Sequence, residues 1–196
     1  MSKDPLHPTA NEIYISTDIE ANGPIPGPYS MLALGAGAFS VTREKGVELI
    51  SGFSANLEEL PGAGSDPKTM AWWQDYPEAW DLNRSNQQPP EKAISSYVNW
   101  LQKLPGRPVF VAWPATYDFT FVYWYLMYFL NQSPFNWSGL DARSYSMALT
   151  QKRWFDVSMH DLPLVNAQNL HPHVAYYDAI HQGRQVCKLI YNNLFR

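Results

Sequence analysis

The chain has 196 residues, 45% hydrophobic, 16% charged and 15% aromatic, with a formal net charge of −4. That length suits one domain with a full core, and the composition excludes a disordered chain. A single cysteine, Cys187, excludes a disulfide framework and any multi-cysteine zinc site and fits a reducing compartment, while the mild acidity argues against a broad basic surface for duplex nucleic acid but not against a pocket for one strand end.

Residues 1–11 are polar and carry prolines, the opposite of a secretory signal, and read as a flexible tail before a single domain at 12–196. Glu12–Glu20 is β-branched and aromatic and reads as a buried strand, broken by Asn22-Gly-Pro and Pro26-Gly-Pro. Tyr29–Thr42 reads as a small-residue strand, Arg43–Gly46 as a hairpin turn and Val47–Phe53 as the pairing strand, together an antiparallel meander. Residues 54–90 read as an irregular loop with a short helix around Pro67–Gln74. Helical spacing then covers Glu91–Leu104, and Pro108–Trp113 is a short, wholly apolar strand expected inside a sheet.

A helix is expected over Tyr117–Leu130, a strand near Trp137–Leu140, a helix over Ala142–Thr150 and a last helix from about His173 to Leu194. The most membrane-like stretch, Val109–Leu130, is interrupted by Pro114 and Asp118; its unbroken part is about 12 residues, too short to cross hydrocarbon, so a soluble cytoplasmic protein without membrane contact is expected. Antiparallel strands followed by alternating helices and strands make one α/β domain with a mixed sheet.

Three groups of residues carry chemistry. Asp18 and Glu20, two apart on a strand, emerge on one face. Paired acids near the end of a buried strand repel each other and favour a hard divalent cation, although such pairs also arise by chance. Asp118 follows the apolar strand at the start of a helix, where an acid is either a dipole partner or a site residue beyond a sheet's carboxyl edge. His173 and Asp178 open the last helix; five residues are not one helical stripe, but a histidine in the preceding loop can lean over the acid.

Taken together, Asp18 and Glu20 in STDIEANG, Asp118 in VFVAWPATYDFTFV, and His173 and Asp178 in HVAYYDAIHQG resemble the three motifs of the DEDDh branch of the DnaQ-like 3′–5′ exonucleases, over about residues 12–194. The resemblance implies an RNase H-like mixed sheet of five strands flanked by helices. It also implies two Mg²⁺ or Mn²⁺ ions held by Asp18, Glu20, Asp118 and Asp178, with His173 as general base. The expected activity is removal of nucleoside 5′-monophosphates from the 3′ ends of single-stranded RNA or DNA, and the resemblance leaves room for a homodimer.

Backbone groups at Ala21 and Asn22 are expected to meet the 3′-terminal nucleotide, and Trp72 or Trp73 to stack on bases, with a loop-anchoring role the alternative for one of them. Trp113-Pro114 stands where many members have His-Asn. Asp141 resembles a frequent family aspartate and is expected to be structural. Two other functions remain open on the same fold: a non-catalytic nucleic-acid-binding module, and a phosphohydrolase acting on nucleotides.

Overall fold

A computed structural model describes residues 11–163 and 171–195 of the chain; the expected tail, apart from Asn11, falls outside them. Strand β1 (Glu12–Ala21) lies at the centre of a five-stranded sheet. It pairs antiparallel with β2 (Met31–Thr42), which pairs antiparallel with β3 (Gly46–Asn56). On its other side β1 runs parallel to β4 (Arg107–Ala112), and β4 to the two-residue β5 (Leu140–Asp141). The order β3-β2-β1-β4-β5 is the expected mixed sheet.

The period-2 pattern of β1 sorts its side chains onto two faces. Ile13, Ile15, Ile19 and Ala21 enter a core with helices α3 (Pro90–Leu101) and α4 (Ala115–Leu130), through Ala93, Ile94, Tyr97, Phe121, Val122 and Tyr125. Fully burying each large apolar chain contributes roughly 1.5–3 kcal/mol. The alternate residues face α6 (Ala175–Leu194): buried Gln182 donates through Nε2 to Ser16 Oγ (3.0 Å) and to the Thr17 carbonyl (3.3 Å).

Helix α6 can lie this close in part because Gly35 and Gly183 lack a side chain. A Cβ on Gly35 of β2 would sit 2.2 Å from the Ala175 backbone, and one on Gly183 would sit 2.2 Å from the Phe39 ring and 2.7 Å from Ser16 Cβ. Side chains at these points would lift the helix off the sheet.

The stretch expected as an irregular loop holds two helices, α1 (Pro67–Trp73) and α2 (Pro77–Asn83). Helix α1 starts where expected, with Pro67 in its first turn and the Asp66 carboxylate accepting from Thr69 N (2.8 Å). The strand expected at Trp137–Leu140 shifts to Leu140–Asp141, because 134–137 form a turn in which Asn136 takes φ 54° and Trp137 is 82% exposed. Helix α5 (Ala142–Thr150) follows as expected. Helix α6 begins two residues later than expected, since His173 lies in the left-handed region at φ 62°. Among the described residues no helix is long and apolar enough to cross a membrane.

Candidate active site

The last paired residues of β1 and β4 are Ser16 and Val111. Beyond them β4 ends and the chain turns through Pro114 into α4, so the carboxyl ends of two parallel strands open a crevice, the usual position of sites on such sheets. Asp18 and Glu20 enter it from β1 and Asp118 from the first turn of α4. Asp178 comes from the first turn of α6.

Asp118 is almost completely buried, and its Oδ1 accepts from Ile19 N–H at 2.9 Å, which fixes the start of α4 against β1. Burial pushes its carboxyl up to about 7, against the pull of the Ile19 N–H and its own backbone N–H. Asp18 is held well above the usual carboxylate range by burial and then by the facing Asp118, Glu20 and Asp178. Glu20 is raised in the same way, by burial and by Asp178 and Asp118. The four acids therefore share one electrostatic environment.

Burial and mutual repulsion both oppose four negative charges in this crevice, and a hard divalent cation relieves both. The acidic group thus fits a metal ion. Glu20, His173 and Asp178 each offer a ligand atom, all within 4.8 Å of one another.

His173 is held from several sides. Its backbone N–H donates to Asp178 Oδ2 (2.7 Å), and its carbonyl accepts from Asn83 Nδ2 (2.6 Å). Its ring packs on Tyr76, with centroids 4.2 Å apart, and against Trp72 edge-on at 4.9 Å. The loop placement expected for this histidine brings it beside Glu20 and Asp178.

The two tryptophans divide between the two roles open to them. Trp73 is 3% exposed and its indole N–H donates to the Ala21 carbonyl (3.1 Å), so it anchors α1 to the end of β1 and presents no face to a base. Trp72, one residue earlier, is 38% exposed and borders His173. Asn22, expected to contact a nucleotide, is instead fully buried. Its N–H donates to the Ser30 carbonyl (3.1 Å), its carbonyl accepts from Asp66 N–H (2.8 Å), its Oδ1 accepts from Ser30 N (2.7 Å), and its Nδ2 donates to Ser65 Oγ (3.2 Å). Asn22 closes the loop after β1, and Ala21, 4% exposed, lends its carbonyl to Trp73.

Asp141 caps α5 by accepting from Ser144 N (2.7 Å) and also accepts from Ala115 N (2.8 Å) at the head of α4, the structural place expected for it. Tyr76, Asn83 and Tyr117, whose hydroxyl donates to the Gly23 carbonyl (3.2 Å), border the site without having been singled out in the sequence. Only the proline opening α2 gave a local signal for this region.

No protein-family profile matches the chain. A curated relative, the 3′–5′ DNA exonuclease Cap18 of Escherichia coli, is 26% identical over 179 residues, covering 89% of this chain and 90% of the relative. Among solved structures, the zinc-bound complex of E. coli exonuclease I with single-stranded DNA superposes with a TM-score of 0.66 at 13% identity; 95% of this chain is covered, and it spans only 42% of exonuclease I. The nuclease domain of 3′hExo, a DEDDh family member bound to rAMP, gives a TM-score of 0.66 at 8% identity, with 93% of each chain covered. A 3′-exonuclease that recognises the 3′ end of a histone mRNA stem-loop gives 0.68 at 9% identity, covering 93% of this chain and 64% of that one.

Proposed function

We propose, from the premise that this chain is a DnaQ-like 3′–5′ exonuclease, that it shortens single-stranded nucleic acid from the 3′ end and releases nucleoside 5′-monophosphates. The observation that carries this reading is the convergence of Asp18, Glu20, Asp118 and Asp178, with His173 beside Glu20 and Asp178, at the open end of β1. DNA is the polymer of this reading, because the curated relative, nine-tenths of whose length this chain covers, is a DNA exonuclease.

The four carboxylates would hold two divalent ions, Mg²⁺ or Mn²⁺, which when bound supply the positive charge that stabilises the attacking and leaving oxygens of a phosphodiester. His173 takes the proton of the attacking water as general base. The new bond joins the water oxygen to the terminal phosphorus, the bond from phosphorus to the O3′ of the preceding nucleotide breaks, and that oxygen gains a proton. The shortened strand keeps a free 3′-hydroxyl for the next cycle. Trp72 offers its open face to a base near the 3′ end, where one stack is worth roughly 1–3 kcal/mol regardless of sequence.

The test is a time course on a 5′-labelled single-stranded oligonucleotide with Mg²⁺ or Mn²⁺. A ladder of strands shortened from the 3′ end is expected, with no cutting of a circular single strand and no turnover in excess chelator. Matched DNA and RNA trinucleotides decide the polymer. Turnover of free nucleotides without a ladder would replace this reading with a phosphohydrolase.

A further inference from the structure

The geometry points to Asn83 as a positioning residue for the reaction: it holds the His173 peptide in the left-handed conformation that sets the imidazole over the acids. This inference rests on the reading of His173 as general base. A positive φ is uncommon for a non-glycine residue, and of the five such residues described, Asn86, Asn131, Asn136, Gln151 and His173, the histidine is the one beside the acids. His173, at φ 62°, is clamped at both ends of its own residue. Its N–H is fixed by Asp178, which belongs to the acidic group, and its C=O by Asn83 at 2.6 Å.

Asn83 suits this task. It is 1% exposed, at the end of α2, and reaches its partner across 90 residues of sequence. The segment that carries it is secured at the other half of the site. Trp73 bonds the Ala21 carbonyl, Asp66 N–H donates to the Asn22 carbonyl at 2.8 Å, and Asn22 reaches Ser65. The stretch from Ser65 to Asn83 therefore bridges from the end of β1 to His173, two residues before α6, and it also supplies the two rings, Trp72 and Tyr76, against which the imidazole packs.

Without the Asn83 donor, the His173 carbonyl loses its fixed partner and the peptide turns toward commoner backbone angles. The ring then moves relative to Glu20 and Asp178. Misplacement of about 1 Å at a reacting group can cost on the order of a hundredfold in rate.

The experiment compares Asn83→Ala and Asn83→Leu, the second keeping much of the side chain's bulk without a donor, in the native chain and in a His173→Ala background. Turnover of a single-stranded DNA oligonucleotide is measured with saturating Mn²⁺, beside the Mn²⁺ midpoint and the melting temperature. Each single variant is expected to lower kcat about ten- to a hundredfold, with KM and the Mn²⁺ midpoint within about twofold. In the His173→Ala background either substitution should change the residual kcat by less than about twofold. Equal losses in both backgrounds, or a loss carried by the Mn²⁺ midpoint, would overturn the role of Asn83 while leaving the base assignment standing. Native kcat in His173→Ala alone would overturn the base assignment and the role of Asn83 with it. Should one variant not fold, the other carries the comparison; loss of folding in both marks Asn83 as a residue of the fold and overturns the proposal.

Discussion

Replacing Asp118 by Asn should stabilise the metal-free protein while abolishing catalysis. The side chain is 4% exposed, and burial lifts its titration from the ordinary 3.8 to about 7. The folded state therefore binds this proton more tightly than the unfolded chain does. Its contribution to stability is fully present below the unfolded value, declines as pH rises from about 4, and levels off above about 7. A difference of about three units corresponds to roughly 4 kcal/mol, an upper figure because Asp18, Glu20 and Asp178 share the field and relax in turn.

Asparagine removes the charge but keeps an oxygen for the Ile19 N–H, so the head of α4 stays tied to β1. A net gain of about 1–3 kcal/mol at pH 8 shifts the melting temperature by about 2–4 °C per kcal/mol for a chain of this size, hence about 2–12 °C in all. The assay is thermal unfolding in excess chelator at pH 8 and pH 5, with and without subsequent Mg²⁺ or Mn²⁺. The gain should shrink sharply at pH 5, where the native carboxyl is already protonated, and the cation should raise the native protein more than the variant. A variant that melts at or below the native protein at pH 8, or with the same gain at both pH values, would refute the electrostatic account.

Gly183→Ala should cost about 1–3 kcal/mol, because its Cβ would fall 2.2 Å from the Phe39 ring, and urea titration would measure the loss. Trp73→Ala should destabilise by about 3–5 kcal/mol, whereas Trp72→Ala, which removes a half-exposed ring, should lower the melting temperature less and raise KM for oligonucleotides. The reverse ordering in paired melts and kinetics would exchange their roles. Asp141→Asn, which keeps one acceptor oxygen, and Asp141→Ala, which keeps none, should lower stability in steps of about 1 kcal/mol each as Ser144 N and Ala115 N lose their partner. Chemical denaturation of the two variants checks the grading.

Much of the scaffold could be read locally. β1 and β2 announce themselves by β-branched and small apolar residues between turn signals, and α4 by an apolar run after Pro114. Asp18 and Glu20 were legible because a strand fixes which residues share a face, and Asp118 because it follows a buried parallel strand. Helix α2 was not, since seven residues complete two turns and carry little periodicity. The role of Asn83 was hidden for a different reason: its partner lies 90 residues away. Asn22 misled because its neighbours in sequence are site residues, while its burial depends on Ser30 and Ser65 folding over it. Trp72 and Trp73 are identical in type, and only the direction each takes from a short helix separates the exposed ring from the anchored one.

The seating of α6 against glycines of the sheet also orders the site in time. Asp18 is made early and Asp178 160 positions later, an interval on the order of ten seconds at common translation speeds. For the first 100 positions of that interval the nascent chain has only Asp18 and Glu20; Asp118 then joins them, while the histidine and the fourth acid are still to come. Gln182, which reaches Ser16 and Thr17, and Gly183, which allows the close approach, belong to the same helix as Asp178. The act that covers the sheet is therefore the act that delivers the missing carboxylate. If the four acids act as proposed, a ribosome-bound fragment that ends before α6 has no complete site, and activity should appear only once that helix is made and the fold closes.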